Sequence, residues 1–170
     1  MKKNTCKGFT LVEMVLYVAL CSILLLSLST FLSFLLQSRV KSQSIAEVNQ
    51  QGFQMMQFMT QAIRNGKTVT SPLDASTSTT LSVTTAVPLL SPVVFSASGT
   101  SLMIQEGSGK QIKLTNSRVA VSSLVFQNIS TATNTEKTVK ISFVLSYTSS
   151  STKQEYVYSK LFQSSATLRK

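Results

Sequence analysis

Apolar residues run almost unbroken from Phe9 to Leu36, with Glu13 the one charge among them, and the chain turns polar beyond. Crossing a hydrocarbon layer of ~30 Å takes roughly 20 helical residues, and Met14 to Leu36 supplies them. Small hydroxyls inside the run (Ser22, Ser27, Ser29, Thr30) can bond back to their own helix. Helical periodicity then continues, with Ile45, Val48, Gly52, Met55, Met59 and Ile63 recurring every three or four residues. Phe53, Met56 and Phe58 widen that stripe, while Ser42, Glu47, Gln50, Gln54 and Gln57 lie opposite. No proline interrupts Phe9 to Lys67, so one helix of ~55 residues can form. Asn65-Gly66, with Pro72 beyond, signals its end.

Residues 71–80, rich in Ser and Thr, predict an exposed connector. Strand patterns follow at Leu81–Val87, Val93–Ala97, Ser101–Glu106, Lys110–Thr115, Val119–Asn128, Thr138–Thr148 and Glu155–Leu168. Gly107-Ser108-Gly109 and Ser149–Thr152 predict hairpin turns. Val139, Ile141, Phe143, Leu145 and Tyr147 alternate onto one sheet face. On the last strand Tyr156, Tyr158 and Lys160 share one face and Val157, Ser159 and Leu161 the other, which leaves its inward side open. The expected fold is α+β, a long N-terminal helix packed on a C-terminal antiparallel sheet, with the Met/Phe stripe as the sheet's lid.

Glu13 separates the readings of the apolar segment. A secretory signal needs an apolar core of only ~7–15 residues and a small-x-small cleavage site, and neither fits. A lipoprotein signal on Cys21 would have the bulky Leu20 in front of it. A plain single-pass anchor has no use for a carboxylate, which costs ~2.5–3.5 kcal/mol at mid-membrane and less near the interface. Such a group calls for a positive partner at its own depth. Lys2, Lys3 and Lys7 before the run outweigh Arg39 and Lys41 after it, favouring N-in, C-out.

The string Lys7-Gly8-Phe9-Thr10-Leu11-Val12-Glu13-Met14 resembles the prepilin leader of the type IV pilin superfamily: a basic residue, Gly, an aromatic, a hydroxyl, an aliphatic pair and Glu. The resemblance implies cleavage between Gly8 and Phe9 by a membrane aspartyl peptidase, and N-methylation of Phe9. It also implies that Glu13 faces the Phe9 amine of a neighbouring subunit during assembly. Two charges that are each costly in lipid would then offset one another. The Gln-rich and Met-rich stem ending at Ile63-Arg64-Asn65 is similar to J-type minor pseudopilins and related minor pilins.

On that resemblance the chain divides into a leader (1–8), a transmembrane and assembly helix (9–36), an amphipathic stem (37–67), a connector (68–80) and a β-rich head (81–170). The implied partners are a prepilin peptidase/methyltransferase, other pilin or pseudopilin subunits, an inner-membrane assembly platform and the membrane itself. The implied location is the bacterial inner membrane, then a cell-surface or periplasmic filament. The alternative is a membrane-anchored binding module, an adhesin or DNA-uptake receptor, whose helix only tethers it.

Composition narrows the chemistry. His is absent, which removes imidazole catalysis and His-ligated metal, and the two cysteines, Cys6 and Cys21, sit in the leader and the apolar run. Ser150-x-x-Lys153 and Ser38-x-x-Lys41 match a Ser–Lys spacing without any oxyanion-hole signature. Gly66-Lys67-Thr68 lacks the earlier glycine of a phosphate loop. No catalytic residue, metal ligand or cofactor is expected. The chain carries a net charge of +10, and from Ser71 onward nine basic residues face four acidic ones. This would favour DNA or anionic surfaces, but no basic run exceeds Arg169-Lys170, and a solvated face is the plainer reading.

Overall fold

One helix, α1, spans Leu11–Arg64 in the computed structural model, which describes residues 10–131, 137–149 and 156–169. The chain divides into two units, Met1–Val40 and Lys41–Lys170. In the first unit, α1 presents apolar side chains outward along its whole described length. Its 18-residue apolar window reaches a mean hydropathy of 2.4, long and apolar enough to cross a membrane. Of the four hydroxyls the sequence singles out, Ser22, Ser27 and Thr30 bond to their own helix, while Ser29 takes part through its carbonyl. Ser22 Oγ donates to the Val18 carbonyl at 2.8 Å, Ser27 Oγ to Leu24 at 2.9 Å, and Thr30 Oγ1 to Ser27 at 2.9 Å. Ser33 does the same toward Ser29 at 3.0 Å. Each such bond removes a polar group that lipid could not satisfy.

In the second unit the rest of α1 packs on two antiparallel sheets. The strands are β1 (Gly66–Ser71), β2 (Thr77–Ser78), β3 (Leu81–Thr85), β4 (Val93–Ser98), β5 (Ser101–Glu106), β6 (Ile112–Lys113), β7 (Val119–Asn128), β8 (Thr138–Tyr147) and β9 (Ser159–Thr167). Their orders are β1-β3-β4-β5-β6 and β2-β7-β8-β9. The α+β class holds, but two sheets replace the single sheet expected. Short connections favour neighbour pairing, so β3 to β6 form one meander and β7 to β9 another. Gly107-Ser108-Gly109 turns β5 into β6 as expected, with the Gly109 amide donating to the Glu106 carbonyl at 2.9 Å. The turn predicted at Ser149–Thr152 lies mostly outside the described residues, as does Glu155.

Two further expectations are corrected. The helix ends at Arg64, where Asn65-Gly66 signals its stop, but Gly66–Ser71 is a strand rather than the last of the stem and the start of the connector. Thr68, Val69 and Thr70 are β-branched and suit a ladder against β3. The segment expected as an exposed connector is also tied down. Pro72 is buried, Ala75 N donates to Ser130 O at 3.1 Å, and Asn128 N donates to Ser76 O at 2.9 Å. The buried Asn128 side chain anchors it as well. Its Nδ2 donates to Pro72 O at 3.1 Å and Asp74 Oδ1 at 3.2 Å, while its Oδ1 accepts from Ser130 N at 3.1 Å.

The core joins α1 to both sheets. Val48, Met55, Met59 and Ile63 from the predicted stripe are buried with Leu81, Val83 and Phe95 of one sheet and Phe126, Ile141, Phe143 and Leu145 of the other. Fully burying each such side chain is worth about 1.5–3 kcal/mol. The stripe is narrower than predicted, since Phe53 and Phe58 keep 64% and 46% of their surface exposed. Ser44 is buried where Ile45 is only half-buried. Gly52 lets the helix close on β9: a β-carbon there would lie 2.1 Å from the Phe162 ring. That ring stacks on Phe143, its register partner, at 5.5 Å and 17°. The inward side of β9 is thus the one carrying Phe162 and Ala166. Lys160 shares it, with Nζ donating to Asn49 Oδ1 at 2.7 Å and lying 5.5 Å and 5.3 Å from the Phe53 and Phe162 ring centres.

Strand β7 changes parity partway. Val119 and Val121 point inward, then Leu124, Phe126 and Asn128 do. A bulge between Ser122 and Val125 absorbs the extra residue, with Ser123 at a φ of 52°. Without it, one half of the strand would turn its apolar side to water.

Candidate assembly and processing site

The first turn of α1 is built by Thr10 and Glu13. Thr10 precedes the helix, and its Oγ1 accepts the Glu13 backbone N–H at 3.3 Å, while its carbonyl accepts from Met14 N at 3.2 Å. That is how a threonine satisfies an orphan donor at a helix start. The Thr10-x-x-Glu13 spacing is the pattern of a capping box, a signal that reading Thr10 only as a motif position overlooks. A carboxylate in the first turn also sits at the positive end of the helix dipole.

Glu13 is exposed and stands in a field of exposed apolar side chains, among them Leu11 at 81%, Val12 at 74% and Leu16 at 54%. Among the described residues the ion pair is Lys137–Asp74, and Glu13 takes part in none. Among the described residues, its carboxylate pairs with no cation. Lys7, Gly8 and Phe9, the other residues predicted for this site, lie outside the described residues. Of the four residues predicted for the site, Glu13 is the one the described residues include.

Two of the other described acids have structural uses. Asp74 binds Lys137 and Asn128, and Glu47 on α1 accepts from the Asn116 side-chain amide, tying the helix to the segment before β7. Gly66-Lys67-Thr68 opens strand β1, which is no setting for a phosphate loop.

Residues 3–29 match the family described as the prokaryotic N-terminal methylation motif. No curated protein and no solved structure gives a significant match to the chain.

Proposed function

We propose that this chain, whose residues 3–29 match the prokaryotic N-terminal methylation motif, is a type IV pilin-like precursor, specifically a minor pilin or pseudopilin. That motif belongs to precursors processed by prepilin peptidase and assembled with other pilin subunits, a structural rather than enzymatic family. The apolar helix and the motif together mark a membrane-anchored chain.

In this reading the peptidase cuts between Gly8 and Phe9, with Lys7 on the leader side, and the Phe9 amine is methylated. The uncut protein waits in the bacterial inner membrane, N-in and C-out, and an assembly platform feeds the trimmed subunit into a filament. Residues 9–36 would hold the filament together, 37–64 would form the stem, and the β-rich part would face outward. The observation that carries the reading is the lone Glu13 carboxylate, capped in place on an exposed apolar helix with no described partner in its own chain. A cation created at Phe9 by proteolysis supplies the missing charge from a neighbouring subunit. In a low-dielectric setting the pair stabilises the assembled state over the lone subunit. It also sets the order of events, because the cation exists only after cleavage.

Intact-mass measurement on membrane-extracted protein tests this. Loss of Met1–Gly8 with one added methyl group is the expected product. An uncut chain would point instead to an anchored binding module.

A further inference from the structure

The carboxyl end of α1 opens onto a cleft of about 540 Å³, lined by Asn65, Lys67, Thr68, Lys137 and Arg169 among others. Three of those side chains are cations, and among the described residues no carboxylate lines the cleft. Lys137 is held by Asp74, whereas Lys67 and Arg169 form no ion pair among the described residues.

Their backbones are fixed. Lys67 sits on β1, where Gly66 lies so close to Val83 that a β-carbon would come within 2.1 Å of its Cγ1. Leu168 is buried and its N–H donates to the Lys137 carbonyl at 2.9 Å, while Arg169 N donates to Arg64 O at 3.3 Å.

Helix ends attract cations without needing a ligand, so the charge must be weighed. Among the described residues, the α1 carboxyl end contributes roughly −0.5 of an elementary charge and Asp74 a further −1, leaving the three lining cations with an excess of about +1.5. A phosphate group carries about −1.5 to −2 at neutral pH and offers oxygens that a guanidinium fork and ammonium groups bind together. The cleft is also larger than a bare phosphate needs.

We propose that this cleft binds a phosphate-bearing ligand, with Lys67 and Arg169 as the principal contacts and Lys137 as a third, structurally held cation. The inference stands apart from the assembly reading, since it uses only residues of the second unit. Two sources share the chemistry, a compact phosphate compound and the phosphodiester backbone of a nucleic acid.

Full-length protein in uncharged detergent micelles can be titrated with inorganic pyrophosphate and, separately, with a short single-stranded oligodeoxynucleotide. The parent is expected to bind at least one probe saturably at near-physiological salt. Lys67→Ala/Arg169→Ala should weaken that binding by about tenfold or more, as loss of two charge-assisted contacts requires. Lys110→Ala/Lys113→Ala removes the same charge elsewhere and should change it less than about twofold. Pyrophosphate binding assigns the cleft to a compact phosphate, and binding of the oligonucleotide alone assigns it to a backbone. No saturable binding by the parent, retained binding in the cleft variant, or equal loss in both variants overturns the proposal.

Discussion

The Phe162 ring fills the space that a β-carbon on Gly52 would need, 2.1 Å from its ideal position. The contact lets α1 approach β9 at a point where Phe143 backs the ring and Phe53 meets its edge at 5.8 Å and 84°. Gly52→Ala gains ~1 kcal/mol of helix propensity but must displace a stacked ring, which costs about 1–3 kcal/mol. A lower melting temperature for Gly52→Ala is expected, with Gly52→Ala/Phe162→Leu recovering part of the loss. A melting temperature at or above the parent's would show that the ring moves freely.

Asn128 should tolerate replacement poorly. It satisfies the Pro72 carbonyl, Asp74 and the Ser130 amide from a site only 1% exposed. Asn128→Ala strands several of those groups and should cost about 1–3 kcal/mol in denaturant unfolding. Amide exchange at Ser130 should rise more than at Val139 or Ile141 on the neighbouring strand.

Ser123 is predicted to be the tolerant position of β7. Its φ of 52° suits glycine and penalises β-branched side chains. Ser123→Val should lose about 1–2 kcal/mol, and Ser123→Gly should be neutral within ~0.5 kcal/mol. Deleting Ser123 removes the extra residue yet leaves Val121 and Leu124 facing inward. A folded deletion variant, judged by circular dichroism and melting, is therefore expected, whereas deleting Val125 should give a less stable one, because Ser123 then takes the inward place of Leu124.

Glu13→Ala should still be cleaved after Gly8 but should fail to enter filaments, scored by shearing and immunoblotting. Normal incorporation would remove Glu13 from the assembly step. Glu13→Gln keeps the shape and loses the charge, so it should resemble the alanine variant if charge pairing is what matters.

Much of this architecture was legible in residue patterns. The stripe from Val48 to Ile63 and the alternation from Val139 to Leu145 are each buried as periodicity predicts, because each element has one wet and one dry side. Strand β1 was hidden, since Lys67 to Ser71 is mostly polar and its pairing with β3 depends on residues more than ten positions away. The division into two sheets was equally invisible, because strand patterning does not encode partners. The exposure of Phe53 and Phe58 follows from how narrow a strip of helix the sheets can cover. At the candidate site, Glu13 was conspicuous for its setting in apolar sequence. The Lys67–Lys137–Arg169 cleft was not, as its cations are scattered along the chain and meet only in the fold.

Strand β9 is the last strand of its sheet among the described residues, so one row of its backbone groups has no described strand beside it. Lys160 points toward the interior side of that border rather than outward. A second polypeptide trying to zip onto β9 as a fifth rung of that sheet would have to bury or expel this ammonium, which discourages indiscriminate sticking. Replacing Lys160 with methionine would thus do more than weaken one fold contact: it would take the guard off the margin, and crowded protein should begin to clump.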